Sequence, residues 1–141
     1  MPTYPTFPEN AEMLNETTEL SFRLKPSPPA GVGVFALHGI RKGTPLSLRG
    51  EEKSIEDARF ITLEAAEANL TLLAFCKWFG VYDVVEEKEG FWTSQKFNKM
   101  SLHWYLNHSD TPNVRLDENY EWFAQQDIQA GQELTINYHT L

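Results

Sequence analysis

With 141 residues, 41% of them hydrophobic and 13% aromatic, the chain can bury one core, which excludes wholesale disorder and argues for a single domain. A formal net charge of −8 argues against nonspecific binding to nucleic-acid phosphates, which needs a basic surface; it suits a lysine- or arginine-rich partner, and equally plain solubility. The single Cys76 allows no internal disulfide and the four histidines have no cysteine pair beside them, so no metal site is expected.

Residues 1–18 carry three prolines and little periodicity, and read as an N-terminal arm to a domain spanning 19–141. Glu19 to Leu24 alternates in strand fashion, with Leu20, Phe22 and Leu24 on one face. Pro26, Pro28 and Pro29 break that strand. A second begins after a glycine-marked turn, in Gly31-Val32-Gly33-Val34-Phe35-Ala36, and the turn Ile40 to Pro45 feeds a third, Leu46 to Arg49. Thr62 can cap a helix with Glu64 in its first turn. Leu70 to Phe79 is apolar on nearly every face, which predicts a buried helix, and Gly80 is its stop. Glu86-Glu87-Lys88-Glu89-Gly90 reads as a solvated loop. Phe91-Trp92 then leads to Thr93 or Ser94, the candidate cap of a second helix through Phe97, Met100, Trp104 and Tyr105. Short strands follow at Val114 to Leu116, Trp122 to Gln125 and Glu133 to Tyr138. The predicted class is a compact α+β fold, mostly β, with a helical insert at about 57–106. No apolar run approaches membrane-spanning length and the N-terminus lacks a leader pattern, so a soluble intracellular protein, cytoplasmic or nuclear, is expected.

Three groups of residues could carry chemistry. Gly31-x-Gly33 lets backbone approach a bulky ligand where a side chain would block it, although two glycines near prolines also make an ordinary turn. Asn107-His108-Ser109-Asp110-Thr111-Pro112-Asn113 offers donors and acceptors to an amino acid moiety, or an Asx-rich turn that fixes its own backbone. Gly131-Gln132-Glu133-Leu134-Thr135-Ile136-Asn137-Tyr138 is a strand ending in an aromatic.

Taken in order, these groups resemble the motifs of SET-domain protein lysine methyltransferases, over about Leu20 to Tyr138. The resemblance implies small short-stranded sheets, a helical insert and a C-terminal pseudoknot. It implies S-adenosylmethionine as cofactor, held by Gly31, Val32, Gly33, Asn107 and His108, and methyl transfer to the amine of a lysine in a basic protein or peptide. Tyr138 is the implied catalytic residue, with Tyr105 beside it as a channel wall; Trp78, Trp92 and Trp122 are weaker candidates for that wall, since large aromatics dominate small cores. No nucleic acid or membrane contact is implied.

Four departures stand out. Asp110 replaces the family's cysteine, Leu48-Arg49-Gly50 stands where many members have Tyr-x-Gly, and Trp104 takes the place of the usual arginine. The Cys-rich segment that often follows the tyrosine is not present after Tyr138, so a homodimer or the N-terminal arm is expected to cover the channel. The alternatives are a non-catalytic β-clip module that binds sugars or peptides, suggested by Gly33 to Leu46, and a degenerate SET domain that binds cofactor only.

Overall fold

The computed structural model describes residues 7–28, 31–50 and 58–140. The expectations that concern residues 1–6, Pro29 and residue 57 lie outside them. In chain order the strands begin with β1 (Asn10–Leu14), β2 (Phe22–Pro26), β3 (Val32–Ala36), β4 (His38–Ile40) and β5 (Arg59–Thr62). Two helices follow, α1 (Leu63–Glu67) and α2 (Leu70–Phe79), then β6 (Val81–Val85) and β7 (Lys88–Thr93). The chain closes with β8 (Asn107–His108), β9 (Val114–Leu116), β10 (Trp122–Ala124) and β11 (Glu133–Ile136). Short strands in small sheets with few helices make this an α+β fold, mostly β. Contacts divide it into two compact units, Met1–Leu48 with Leu106–Leu141, and Arg49–Tyr105.

The first unit is built around a four-stranded sheet of order β2-β3-β11-β8, in which β11 runs antiparallel to β3 and parallel to β8. Val34, Ala36, Leu134 and Ile136 are buried from the two central strands, together with Ile40, Leu106, Val114 and Ile128. β9 and β10 form a hairpin, and β1 pairs in parallel with β4. Asn113 is itself buried. Its amide donates to the Glu133 carbonyl at 2.8 Å and accepts the Thr135 N–H at 2.9 Å, so one side chain pairs with two half-buried backbone groups of β11.

Several expectations for this unit are corrected. Leu20 is exposed and β2 starts only at Phe22, because Thr18 and Ser21 close a turn through Ser21 N–H to Thr18 O and Thr18 N–H to Ser21 Oγ. Pro26 ends β2 rather than breaking it. This is an edge strand, where a missing N–H costs no ladder bond. Leu46 to Arg49 forms no strand; only Pro45 bridges to Phe123, while Leu46 and Leu48 are buried. The strands β1 and β4 carry too short an alternation to be read from sequence.

The second unit has a three-stranded antiparallel sheet of order β5-β7-β6, with α1 and α2 supplying the rest of its core. The Thr62 hydroxyl accepts the Ala65 N–H and caps α1, as expected. Asn69 then interrupts the helical run, because its Oδ1 accepts the Thr71 and Leu72 N–H groups and caps α2 afresh. Gly80 ends α2. The all-round burial expected for α2 is not observed: Leu70 is 79% exposed, Trp78 67% and Phe75 40%, and Cys76 is its one buried residue. A single small sheet can cover one face of a helix, not every face.

The acidic loop is a tight hairpin. Glu86 and Glu87 both adopt positive φ, 49° and 68°, between the paired Val85 and Lys88. The second helix is also corrected. Phe91, Trp92 and Thr93 complete β7, a run of residues that suits a pleated sheet, and only short 3-10 turns follow, at Phe97–Lys99 and Leu102–Tyr105. No helix among the described residues is long and apolar enough to cross a membrane.

Candidate functional site

The candidate site is organised by β11. Leu134 and Ile136 point into the core, so the period-two alternation of a strand turns Glu133 and Thr135 to the other side. Thr135 pairs with Asn107 and Glu133 with Phe35. This register brings residues of β3, β8 and β11 to one place.

Asn107 Nδ2 donates to the Val32 carbonyl at 3.2 Å and to Glu133 Oε2 at 2.8 Å. Both partners are acceptors, so the amide orientation follows from chemistry. Its Oδ1 is left as an acceptor among the described residues. The Glu133 carboxylate also takes the Ser27 hydroxyl, at 2.9 and 3.1 Å to its two oxygens. A Cβ at Gly33 would overlap this carboxylate and come within 3.2 Å of Asn107 Nδ2. Gly31 sits at φ 56°, a left-handed conformation that a side chain disfavours. Both glycines are thus required by backbone or by close approach.

His108 Nδ1 accepts the Tyr138 N–H at 3.0 Å, and Nε2 lies 2.9 Å from Asp110 Oδ1. A backbone N–H can only donate, which leaves Nε2 as the protonated nitrogen of the neutral ring, aimed at Asp110. Asp110, the departure from the family pattern, is therefore the partner of a site residue. The His108 and Tyr138 rings lie 5.2 Å apart between centroids.

Tyr138 does not end the last strand, as expected, but opens a 3-10 turn, Tyr138–Thr140. Asn137 diverts the chain: its Oδ1 accepts the His139 N–H and its carbonyl the Thr140 N–H and hydroxyl, local bonds that compete with a ladder. The Tyr138 hydroxyl donates to the Leu106 carbonyl at 2.6 Å. Burial first, and the Glu133 carboxylate second, push this phenol above the usual tyrosine range. It stays a neutral donor and acceptor at physiological pH.

Gly31, Val32, Gly33, Asn107, His108 and Tyr138 all belong to the first unit. Tyr105 belongs to the second, where its ring meets Phe79 edge-on at 5.5 Å. Trp92 is in that unit too, packed on Phe60 and donating to Asp83 at 2.9 Å, as is the exposed Trp78. Trp122 is buried in β10. In the sequence, Glu133 stands out only as one letter of the motif that ends at Tyr138. The signal that could have found it is an acid opening a strand whose next and third-next residues, Leu134 and Ile136, are core hydrophobes. No group of His, Cys, Asp and Glu among the described residues is arranged to hold a metal ion.

The residues fit an amino acid ligand that carries a cation: an amide oxygen left as an acceptor, and a backbone without side chains at two positions. The SET domain family model matches residues 31–139. No curated protein sequence matches the chain. Among solved structures, a humanized mutant of the Chaetomium thermophilum Polycomb Repressive Complex 2, bound to an inhibitor, is similar at 23% identity and a TM-score of 0.51, over 83% of this chain and 14% of that one. The same kind of complex in an autoinhibited conformation, bound to S-adenosylmethionine, is similar at 22% identity and a TM-score of 0.54, over 84% of this chain and 15% of that one. At these identities the likeness bears on the fold alone.

Proposed function

The chain belongs to the SET-domain family of S-adenosylmethionine-dependent methyltransferases, and from that premise we propose that it methylates a lysine side chain in a basic protein or peptide. The observation that supports this reading best is the convergence of Gly31-Val32-Gly33, Asn107-His108 and Tyr138 around β11. Gly31, Val32, Gly33 and Asn107 would hold the amino acid end of the cofactor and His108 its adenine end. When bound, S-adenosylmethionine would supply a sulfonium methyl group whose carbon a neutral amine can take, with S-adenosylhomocysteine leaving as the neutral thioether and the positive charge passing to nitrogen.

The part played by Tyr138 follows from its hydrogen bond. With its proton engaged by the Leu106 carbonyl, the phenol oxygen presents lone pairs, which can accept an N–H from the amine and aim the nitrogen lone pair. A neutral phenol does not remove the amine's proton. Lysine, with a pKa of about 10.4 in water, must lose that proton to solvent, and a desolvating channel favours the loss. The net charge of −8 suits a basic substrate.

Leu48 favours the second reading, a domain that binds cofactor without transferring methyl, since it is buried and offers no hydroxyl to the amine. Labelled S-adenosylmethionine with a panel of basic proteins decides between them. Label transferred to lysine by the wild type, and lost in Asn107→Ala, is the expected result. Cofactor binding in calorimetry without transfer to any protein would leave the second reading. No binding at all would defeat both, and favour the β-clip module.

A further inference from the structure

We propose that Glu133 is a positioning residue of the cofactor site: its carboxylate locks the Asn107 side-chain amide so that Oδ1 faces the α-ammonium group of the ligand. The identity of that ligand rests on the function proposed above; the locking itself does not.

The geometry carries the argument. A free asparagine amide turns about its last torsion with little preference. Here Nδ2 is clamped between the Glu133 carboxylate at 2.8 Å and the Val32 carbonyl at 3.2 Å. Turning it over would set an amide oxygen against two acceptors. A bond to an ionised carboxylate is about twice as strong as one between neutral groups, so Glu133 dominates the clamp. Glu133 is held in turn by Ser27, a buried residue whose hydroxyl bonds both carboxylate oxygens. Gly33 completes the arrangement, because its missing Cβ is what makes room for the carboxylate. Gly33 therefore serves the side chain that positions Asn107, in addition to any close approach of ligand. The orientation that results is the useful one. Oδ1 is an acceptor, and an ammonium group has only donors to offer.

The test compares Glu133→Gln and Glu133→Ala with the wild type, using S-adenosylhomocysteine and 5′-methylthioadenosine, which lacks the amino acid end. Glutamine keeps the shape and an acceptor for Asn107. Affinity for S-adenosylhomocysteine is expected to fall about tenfold in Glu133→Ala, the loss typical of a hydrogen bond to a charged group, and to stay within about threefold of wild type in Glu133→Gln. Affinity for 5′-methylthioadenosine should be the same in all three. Equal losses for both ligands would reduce Glu133 to a structural role. An equal loss in glutamine and alanine would mean that its charge acts on the ligand directly, and would also overturn the proposal.

An independent readout needs no ligand. In 15N–1H spectra the Asn107 side-chain proton bonded to Glu133 should be shifted downfield of a free amide and exchange slowly with water in wild type and Glu133→Gln, and should return toward the free-amide position with faster exchange in Glu133→Ala. An unchanged signal in Glu133→Ala refutes the locking. If that amide behaves as expected while the wild type binds neither ligand, the cofactor reading fails and the positioning stands.

Discussion

Tyr138 and His108 each hold one polar group in a state set by their neighbours. The phenol of Tyr138 is kept above the usual tyrosine range by burial and by Glu133, and its proton is given to Leu106. Tyr138→Phe deletes that hydroxyl and keeps the ring. The rate of transfer should fall on the order of 10²-fold, as for other preorganised groups used in a transition state, with cofactor affinity little changed. Because the phenol stays protonated below its raised pKa, the rise of rate with pH reports the substrate amine. Wild type and Tyr138→Phe should therefore rise over the same pH interval. An alkaline limb that disappears in the phenylalanine variant would make Tyr138 the titrating group instead. For His108, the bond from the Tyr138 N–H to Nδ1 requires a neutral ring protonated at Nε2. Long-range 15N spectra at neutral pH should place Nδ1 among unprotonated nitrogens, and a signal from Nδ1–H would contradict the geometry that gives Asp110 its place.

Two elements carry local features that can be changed without touching the site. The two-residue turn between β6 and β7 puts Glu86 and Glu87 at positive φ, where a hairpin of this length prefers Asn-Gly. Each glutamate bears the crowding of a Cβ in the left-handed region. Replacing them, Glu86→Asn with Glu87→Gly, should raise the unfolding free energy by about 1 kcal/mol. A thermal melt that moves downward would show that these side chains make contacts worth more than the strain. The pairing of β1 with β4 depends on Gly39, where a Cβ would overlap the Met13 sulfur and lie 2.9 Å from the Glu12 carbonyl. Gly39→Ala should loosen β1, seen as faster exchange of the Arg41 amide that donates to Leu14 O at 3.0 Å. Exchange as slow as in wild type would mean that β1 shifts to accept the methyl.

At the scale of the whole molecule, ligand binding should be visible as stability. S-adenosylhomocysteine at about 100 times its Kd adds about 2.7 kcal/mol to the unfolding free energy. The melting temperature should rise accordingly in wild type and stay put in Asn107→Ala. Every proposed cofactor residue lies in the unit of residues 1–48 and 106–141, so protection from amide exchange should concentrate on β3, β8 and β11. Protection confined to residues 49–105 would move the site elsewhere. The sequence by itself determined the family, the short-stranded class and the capping of α1 by Thr62, because these depend on residue types close together or in a fixed order. Tertiary structure decided the rest. The exposure of α2 depends on how much sheet is available to cover it. The turn at Tyr138 is held by His108 and Leu106, 30 and 32 residues earlier. Glu133 meets Asn107 and Ser27 across 26 and 106 residues of chain. No local pattern encodes such pairings; they exist only once β11 has settled between β3 and β8.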